Sequence, residues 1–251
     1  MSCKLDRQKF STIAHRDHEF YNPTSAEKID RVLSLIPLTT TDKVIDVGCG
    51  RGEMLIRLCG RTGAQGIGID LNTTFIEQAQ QNAVGRVTDN QIMWISQPIA
   101  DVDMEPNSIN AALCIGSTHA FENYQTTLTK LSERVRSGGY ILVGEGYWKT
   151  PPSQDYLDFL GATLDDYGTH ADNIRAGANA GLKPLYAVVS NDDEWDHYEG
   201  LYARAIELYT YANPNDPDVL AMQERITKWR DAYLRWGRTT LGFGLYLFLR
   251  P

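Results

Sequence analysis

Residues 44–52 (VIDVGCGRG) combine a short apolar run with glycines at alternate positions, Gly48, Gly50 and Gly52. This pattern predicts a strand, a tight turn and a helix start, because glycine accepts positive φ and lets a ligand approach the backbone closely. The free N–H groups at the start of the helix can bind polar ligand groups. Asp46 precedes the turn, and a buried carboxylate there disfavours a pyrophosphate but can bind an ammonium group. The segment therefore predicts a nucleotide-type ligand with a cationic part.

A second carboxylate, Asp70, follows the apolar run 66–69, about one βαβ unit beyond Asp46. At the end of a second strand it can accept hydrogen bonds from both ribose hydroxyls, and it repels a 2′-phosphate. The Gly-x-Gly-x-Gly turn is one residue tighter than the dinucleotide-binding fingerprint. A ligand with ribose, adenine and a cationic amino-acid tail therefore fits better than NAD, and an NAD-linked oxidoreductase is disfavoured.

The elements that position these residues alternate along the chain. Apolar runs predict further strands at 92–95, 111–115, 140–145, 185–190 and 241–249, with amphipathic helices between most of them. Runs that are apolar on both faces predict a mostly parallel sheet covered by helices on either side. In such a sheet the ligand lies beyond the carboxyl ends of the strands.

Two segments depart from this alternation. Residues 1–22 are polar and show no clear periodicity, so we predict an N-terminal arm that is either loosely packed or covers the ligand with Phe20 and Tyr21. Residues 191–240 carry aromatic side chains at helical spacing. They predict a helical lid inserted between the last two strands of a single domain that spans residues 1–251.

Composition limits the classes of function. A net charge of -8 and a pI near 5.1 argue against nucleic acid and anionic membranes as partners. No apolar run is long enough to span a membrane and the N-terminus has no signal-like core, so we expect a cytoplasmic protein. Cys3, Cys49, Cys59 and Cys114 lack the spacing of a metal site or a disulfide framework, which predicts reduced thiols and no metal.

Several of these segments together resemble class I S-adenosylmethionine-dependent methyltransferases. Residues 44–52 resemble motif I of that family, and Gly68-Ile69-Asp70-Leu71 resembles its ribose-binding acidic loop. The resemblance covers about residues 20–190 and, more weakly, the last strand. It implies a Rossmann-like three-layer α/β sandwich whose seven-stranded, mostly parallel sheet has an antiparallel last strand. It also implies that S-adenosyl-L-methionine is the methyl donor and S-adenosyl-L-homocysteine the product.

Further matches refine the resemblance. Residues 113–116, which include Ile115, resemble the fourth-strand segment that faces the methionine part of the donor, and 136–141 resemble the glycine turn before strand five. The segments 21–23, 144–148 and 194–199 are similar to a YjhP-type group of bacterial methyltransferases. The resemblance thus assigns Asp46, the three glycines, Asp70, Leu71 and Ile115 to the donor site.

The adenine contact departs from the family pattern. Many relatives place an Asp and a small residue after strand three, whereas this chain has Ser96-Gln97-Pro98-Ile99. Gln97 could accept the adenine amino proton, the Ile99 backbone could contact the ring, or Asp101 could replace the missing carboxylate. The sequence leaves these alternatives open.

Methyl transfer is an in-line displacement that needs alignment, a water-poor pocket and, where the acceptor is protonated, a base. No metal is required. The candidate catalytic residues are His119, shortly after the fourth strand, and Glu145, at the predicted end of the fifth. The alternatives are that His119 caps a helix or contacts backbone, and that Glu145 pairs with a basic residue of the lid.

Tyr21, Trp148 and Trp195 are the candidate acceptor-pocket residues, whereas Tyr198 and Tyr202 fit core packing better. We therefore predict transfer of a methyl group to an N or O nucleophile of a small molecule by a monomer or homodimer. The alternatives are a regulatory protein that binds S-adenosylmethionine without turnover, and a methyltransferase that acts on a macromolecule.

Overall fold

The computed structural model describes residues 6–251, which fold around one seven-stranded sheet with the order β3-β2-β1-β4-β5-β7-β6. Strands β1 to β5 are parallel, and β7 lies antiparallel between β5 and β6, as the resemblance implied. The strands are β1 (Lys43–Val47), β2 (Gln65–Ile69), β3 (Ile92–Ile95), β4 (Ile109–Ile115), β5 (Val135–Trp148), β6 (Lys183–Val189) and β7 (Leu241–Leu249).

Helices cover both faces of this sheet and form the insertion between β6 and β7. They are α1 (Arg7–Ala14), α2 (Ala26–Ser34), α3 (Glu53–Thr62), α4 (Thr73–Ala83), α5 (Tyr124–Arg134), α6 (Gln154–Leu160), α7 (His170–Asn179), α8 (Asp192–Ala212) and α9 (Val219–Ala232). A π-helical turn, Tyr233–Gly237, and a short helix, α10 (Arg238–Thr240), then lead into β7. No helix in the described part of the chain is both long and apolar enough to cross a membrane.

Alternate residues of each strand enter opposite cores, which explains why the strands are apolar on both faces. Val44 packs with Ile29 and Leu55 from α2 and α3. Its neighbour Ile45 packs with Leu128 and the other buried side chains of α5 on the opposite face. The predicted three-layer sandwich is therefore confirmed, with the carboxyl ends of β1, β2 and β4 at one edge.

The N-terminal segment differs from the arm without periodicity that we predicted. Residues 7–14 form helix α1, and Asp6 caps it by accepting from the N–H groups of Gln8 and Lys9. Phe10 and Ala14 are buried against the helical insertion. A short helix with only one apolar stripe carries little periodic signal, so its burial depends on a partner that is distant in sequence.

Strand β5 also runs further than predicted. Its residues pair with β7 as far as Trp148, which lies opposite Leu241, and Glu145 lies opposite Gly244 within the ladder. Glu145 is therefore inside the strand rather than at its end. The extension reflects pairing with β7, which local sequence does not reveal.

The insertion is helical, as predicted, and is fixed to the body of the protein at its first turn. Asn191 and Glu194 form a capping box at the start of α8. The Glu194 carboxylate also binds the Lys28 ammonium at 2.6 Å and the Ser25 N–H at 3.1 Å, both at α2. These contacts place α8 beside the ligand edge of the sheet.

Candidate functional site

The glycine turn after β1 is held by the neighbouring strand. The N–H groups of Gly48 and Cys49 donate to the Ile69 carbonyl at 2.8 and 3.0 Å, and the Gly50 N–H donates to Asp70 Oδ2 at 2.9 Å. At Gly48 φ is +71°, and a Cβ there would lie 2.2 Å from Ser117 Oγ. The turn therefore requires glycine both for its backbone conformation and for its contact with the loop after β4.

The Asp70 carboxylate binds both the glycine turn and the backbone that follows β2. Its Oδ1 accepts the Asn72 N–H at 2.8 Å while its Oδ2 binds the turn. Leu71, the next residue, is 69% exposed. The carboxylate is thus oriented by two backbone donors beside an exposed residue, and its remaining lone pairs can accept hydrogen bonds from ribose hydroxyls.

Asp46 lies beneath the turn and is 2% exposed. Burial, with a further contribution from the charge of Asp70, raises the pKa of the Asp46 carboxyl to about 7. Within residues 6–251 no Lys, Arg or His forms an ion pair with it. A buried carboxylate without a basic partner is suited to a ligand cation such as an ammonium or sulfonium group.

The N-terminal segment covers this carboxylate. The Tyr21 ring packs on Gly50, where a Cβ would lie 3.0 Å from Tyr21 Cδ2, and meets Phe75 edge-on at a centroid distance of 5.0 Å. The cavity beside the turn, which Asp46, Ile115 and residues 19–22 help to line, measures about 40 Å³. It is smaller than a nucleoside.

The segment after β3 holds the three candidates for the adenine contact. Gln97 Nε2 donates to the Asp101 carbonyl at 3.1 Å, which leaves the Gln97 amide oxygen free to accept. Ile99 begins a 3-10 turn, Ile99–Asp101, and its side chain is 4% exposed, in the core under β1 and β4. The Asp101 side chain is exposed.

A second cavity, of about 400 Å³, lies between this edge of the sheet and the insertion. Tyr21 and Asn22 line both cavities and thus separate the donor side from the aromatic side. We call the larger one the aromatic cavity, after the rings among its lining residues: Tyr156, Phe159, Tyr167, Trp195, Tyr198, Trp229, Tyr233 and Phe243.

Glu145 lies in the wall of the aromatic cavity. The Thr118 hydroxyl donates to Oε2 and the Gly146 N–H donates to Oε1 at 2.8 Å. Burial raises the pKa of the Glu145 carboxyl above its ordinary value, although these two donors oppose the shift. The predicted alternative, an ion pair with a basic residue of the lid, is wrong, because Glu145 accepts from a hydroxyl and a backbone N–H instead.

Known proteins similar to this chain include one that aligns over nearly its whole length, and a family model matches part of the chain. A methyltransferase domain model matches residues 44–139. The chain is 25% identical over 250 residues to the uncharacterized protein YjhP of Escherichia coli (strain K12), covering 98% of this chain and 99% of that protein.

Two crystal structures in complex with S-adenosyl-L-homocysteine, both of S-adenosylmethionine-dependent methyltransferases, are similar over the whole chain. The protein from Thiobacillus denitrificans is 25% identical with a TM-score of 0.88, and the protein from Geobacter sulfurreducens is 27% identical with a TM-score of 0.87. Each match covers 99% of this chain and 100% of the other.

The chain contains a methyltransferase domain and is an S-adenosylmethionine-dependent methyltransferase. Its methyl donor is S-adenosyl-L-methionine. Over the described residues 6–251, no group of three or more His, Cys, Asp or Glu side chains could hold a metal ion.

Two sequence-predicted residues lie away from the aromatic cavity of the methyltransferase. His119 is exposed in the 3-10 turn Thr118–Phe121 and lines a more open, adjoining cavity of about 840 Å³, of which Glu145 is also a lining residue. Trp148 is 5% exposed and packs against Tyr156, and its indole N–H donates to the Leu164 carbonyl at 3.0 Å. Trp148 is therefore a packing residue, and its prediction as a pocket residue is wrong.

Trp195, by contrast, lines the aromatic cavity. It is 9% exposed, stacks on Tyr233 at a centroid distance of 6.4 Å, and its indole Nε1 has no hydrogen-bond partner among residues 6–251. A buried polar atom without a partner is rare in folded proteins.

The sequence analysis missed Glu199, which lines the same cavity and is 8% exposed. The Trp229 indole N–H donates to Glu199 Oε2 at 2.7 Å, and burial raises the pKa of the Glu199 carboxyl to about 7. A signal was present, because Trp195, Glu199 and Tyr202 follow one another at i, i+4 and i+7 and place a charge on an aromatic helix face.

Proposed function

We propose that the enzyme transfers the methyl group of S-adenosyl-L-methionine to an N or O nucleophile of a small molecule that binds in the aromatic cavity. The observation that carries this proposal is that two cavities adjoin and share Tyr21 and Asn22 as a common wall. One cavity lies at the glycine turn and the other is large enough for a small organic acceptor.

The donor side supplies alignment. Bound S-adenosyl-L-methionine supplies an electrophilic methyl group on a sulfonium. Asp70 binds the ribose hydroxyls, Leu71 offers an apolar surface to the adenine, and Asp46 binds the cationic amino-acid end through its unpaired, buried carboxylate. Gln97 is oriented by Asp101 so that its amide oxygen accepts from the adenine amino group.

The acceptor side supplies the base. Glu145 is oriented by Thr118 and Gly146 within the cavity wall. Its raised pKa suits it to take the proton that an OH or NH nucleophile loses when the new bond to the methyl group forms. Residues 19–22 close over the donor and exclude water, since Tyr21 already covers the turn.

The test is a labelling experiment with methyl-labelled S-adenosyl-L-methionine and a cell extract divided by ultrafiltration into small molecules and macromolecules. The proposal expects label in the small-molecule fraction, identified by mass spectrometry. Label found in macromolecules alone contradicts the small acceptor. Binding of S-adenosyl-L-homocysteine by calorimetry without labelling of either fraction indicates a sensor rather than an enzyme for small molecules.

A further inference from the structure

The charged side chains that line the aromatic cavity are all acidic. Its lining includes two carboxylates, Glu145 on β5 and Glu199 on α8, and no Lys, Arg or His among the residues described for it. An anionic ligand would bring like charge against these carboxylates in a poorly solvated space, which is unfavourable. The cavity therefore selects for a neutral or cationic acceptor.

Glu199 differs from Glu53 and Glu194, two other poorly exposed glutamates of this chain. Glu53 pairs with Arg57 and Arg86, each at 2.7 Å, and Glu194 pairs with Lys28 at 2.6 Å. In the part of the chain that the structure describes, Glu199 accepts only from the neutral indole of Trp229. A buried carboxylate without a cation is costly, so a ligand cation would complete this site.

The rings beside Glu199 suit the same ligand. Trp229 meets Phe159 at a centroid distance of 6.2 Å, and both line the cavity together with Tyr198 and Tyr156. Burial raises the pKa of both tyrosine hydroxyls, which keeps these rings neutral near neutral pH. The electron-rich faces of neutral aromatic rings attract cations.

The two carboxylates belong to different parts of the fold. Glu145 is in the sheet, where β5 pairs with β7, whereas Glu199 is in helix α8 of the helical insertion. One can therefore act on the nucleophile near the donor while the other binds a second group of the same acceptor.

We propose that the acceptor carries a protonated amine that binds the Glu199 carboxylate among the rings of Trp229, Tyr198 and Tyr156, while its nucleophilic atom lies beside Glu145. This inference rests on the proposed function and specifies its substrate class. Glu199 is a specificity-determining residue in this assignment, because it selects the acceptor by charge.

The test uses three probes of similar shape and different charge. The protein is saturated with S-adenosyl-L-homocysteine and titrated by calorimetry with 2-phenylethylamine, 2-phenylethanol and 3-phenylpropionate at pH 8. The proposal expects the amine to bind at least about tenfold tighter than the alcohol, and the carboxylate to bind weakest. Equal or tighter binding of the alcohol or the carboxylate, or no binding of the amine, overturns it.

Variants then locate the effect. Glu199→Gln should reduce the amine-to-alcohol preference to about one while alcohol affinity stays the same, and Glu199→Asp should retain part of the preference because it keeps the charge. The control is Glu207→Gln on the same helix, whose carboxylate forms an exposed ion pair with Arg230 at 3.1 Å. Persistence of the preference in Glu199→Gln, or an equal loss in Glu207→Gln, contradicts the assignment.

A separate experiment distinguishes failure of this inference from failure of the proposed function. The small-molecule extract is passed over a cation exchanger, and both fractions are incubated with methyl-labelled S-adenosyl-L-methionine. Label in the retained fraction supports the amine. Label only in the flow-through contradicts the amine but leaves the small acceptor standing. Label in neither fraction, together with label in the macromolecular part of the whole extract, contradicts the small acceptor, and the probe titrations still decide the charge preference of the cavity.

Discussion

The donor edge and the aromatic cavity show two ways of building a binding surface. The donor edge uses backbone groups of one glycine turn and the carboxylate of Asp70, all within one βαβ unit. The aromatic cavity draws its side chains from the N-terminal segment, β5, α6, α8, α9 and β7. The first surface is local in sequence, and the second exists only when distant segments pack together.

The two regions nevertheless share one electrostatic feature. Each contains a buried carboxylate, Asp46 or Glu199, whose pKa is raised to about 7 mainly by burial. Neither forms an ion pair with a basic residue in the described chain, residues 6–251. We therefore expect both carboxylates to bind ligands rather than to stabilise the fold. The following predictions test whether the donor edge and the aromatic cavity have separate roles.

The largest expected effect is on turnover. Glu145→Gln should lower kcat by about 100-fold or more, because the amide cannot accept the acceptor's proton. The affinity for S-adenosyl-L-homocysteine, measured by calorimetry, should change by less than about twofold since Glu145 does not line the cavity at the glycine turn. Turnover is measured as labelled product from the small-molecule extract.

The control for this substitution is Glu133→Gln, a surface residue of α5 paired with Lys130 at 3.2 Å. It should behave as the unaltered protein in both measurements. A loss of donor affinity in Glu145→Gln that matches the loss of turnover would contradict the division of roles.

The second effect is on the donor edge. Asp70→Ala removes the acceptor of the Gly50 and Asn72 N–H groups, and with it the carboxylate that we propose binds the ribose. Affinity for S-adenosyl-L-homocysteine should fall by about 100-fold, since hydrogen bonds to charged groups are worth about 1.5–3 kcal/mol each. Asp103→Ala, an exposed carboxylate in the loop before β4, should leave the affinity unchanged. A fall smaller than about threefold in Asp70→Ala would remove Asp70 from the donor site.

The third effect concerns stability and pH. The Glu199 carboxyl has a pKa of about 7 when folded, above its ordinary value, so the folded protein holds a proton that the unfolded chain releases. Its contribution to stability is therefore present at low pH and is lost as pH rises through about 7. Glu199→Gln should have an unfolding free energy higher than the unaltered protein by about 1–3 kcal/mol at pH 8, with the difference closing towards pH 5.

Denaturant unfolding at several pH values measures this difference directly. Asp46 titrates in the same range in both proteins, so its contribution cancels in the comparison. If the difference in unfolding free energy does not vary with pH, titration of the Glu199 carboxyl does not affect the stability of the folded protein.

The smallest effect separates the two tryptophans. Trp148→Phe should lower the unfolding free energy by about 1–2 kcal/mol, because the Leu164 carbonyl loses its indole donor, with kcat changed by less than about twofold. Trp195→Phe loses no hydrogen bond and should be nearly neutral for stability, but it should weaken 2-phenylethylamine binding. If Trp148→Phe weakened 2-phenylethylamine binding and Trp195→Phe lowered the unfolding free energy instead, Trp148 would be the residue that contacts the acceptor.

Much of the donor edge could be predicted because its signals are local. The spacing of Gly48, Gly50 and Gly52 indicated the turn, and the structure brings Asp46, Asp70 and Ile115 to that edge. The adenine contact of Gln97 remains a prediction. The acceptor side was predicted less well, since Trp148 and Trp195 carry the same chemistry and only their packing separates them.

The sequence by itself determined the positions of the strands in the first half, the glycine turn and the helical character of the insertion, because periodicity and backbone conformation act over a few residues. Tertiary structure alone decided that β5 continues past Glu145 and that Trp148 is packed while Trp195 lines the cavity. It also decided that Glu199 accepts from an indole and, among residues 6–251, from no cation. These properties depend on which distant side chains remove water from a group, and burial of that kind is set only when the insertion folds over the sheet.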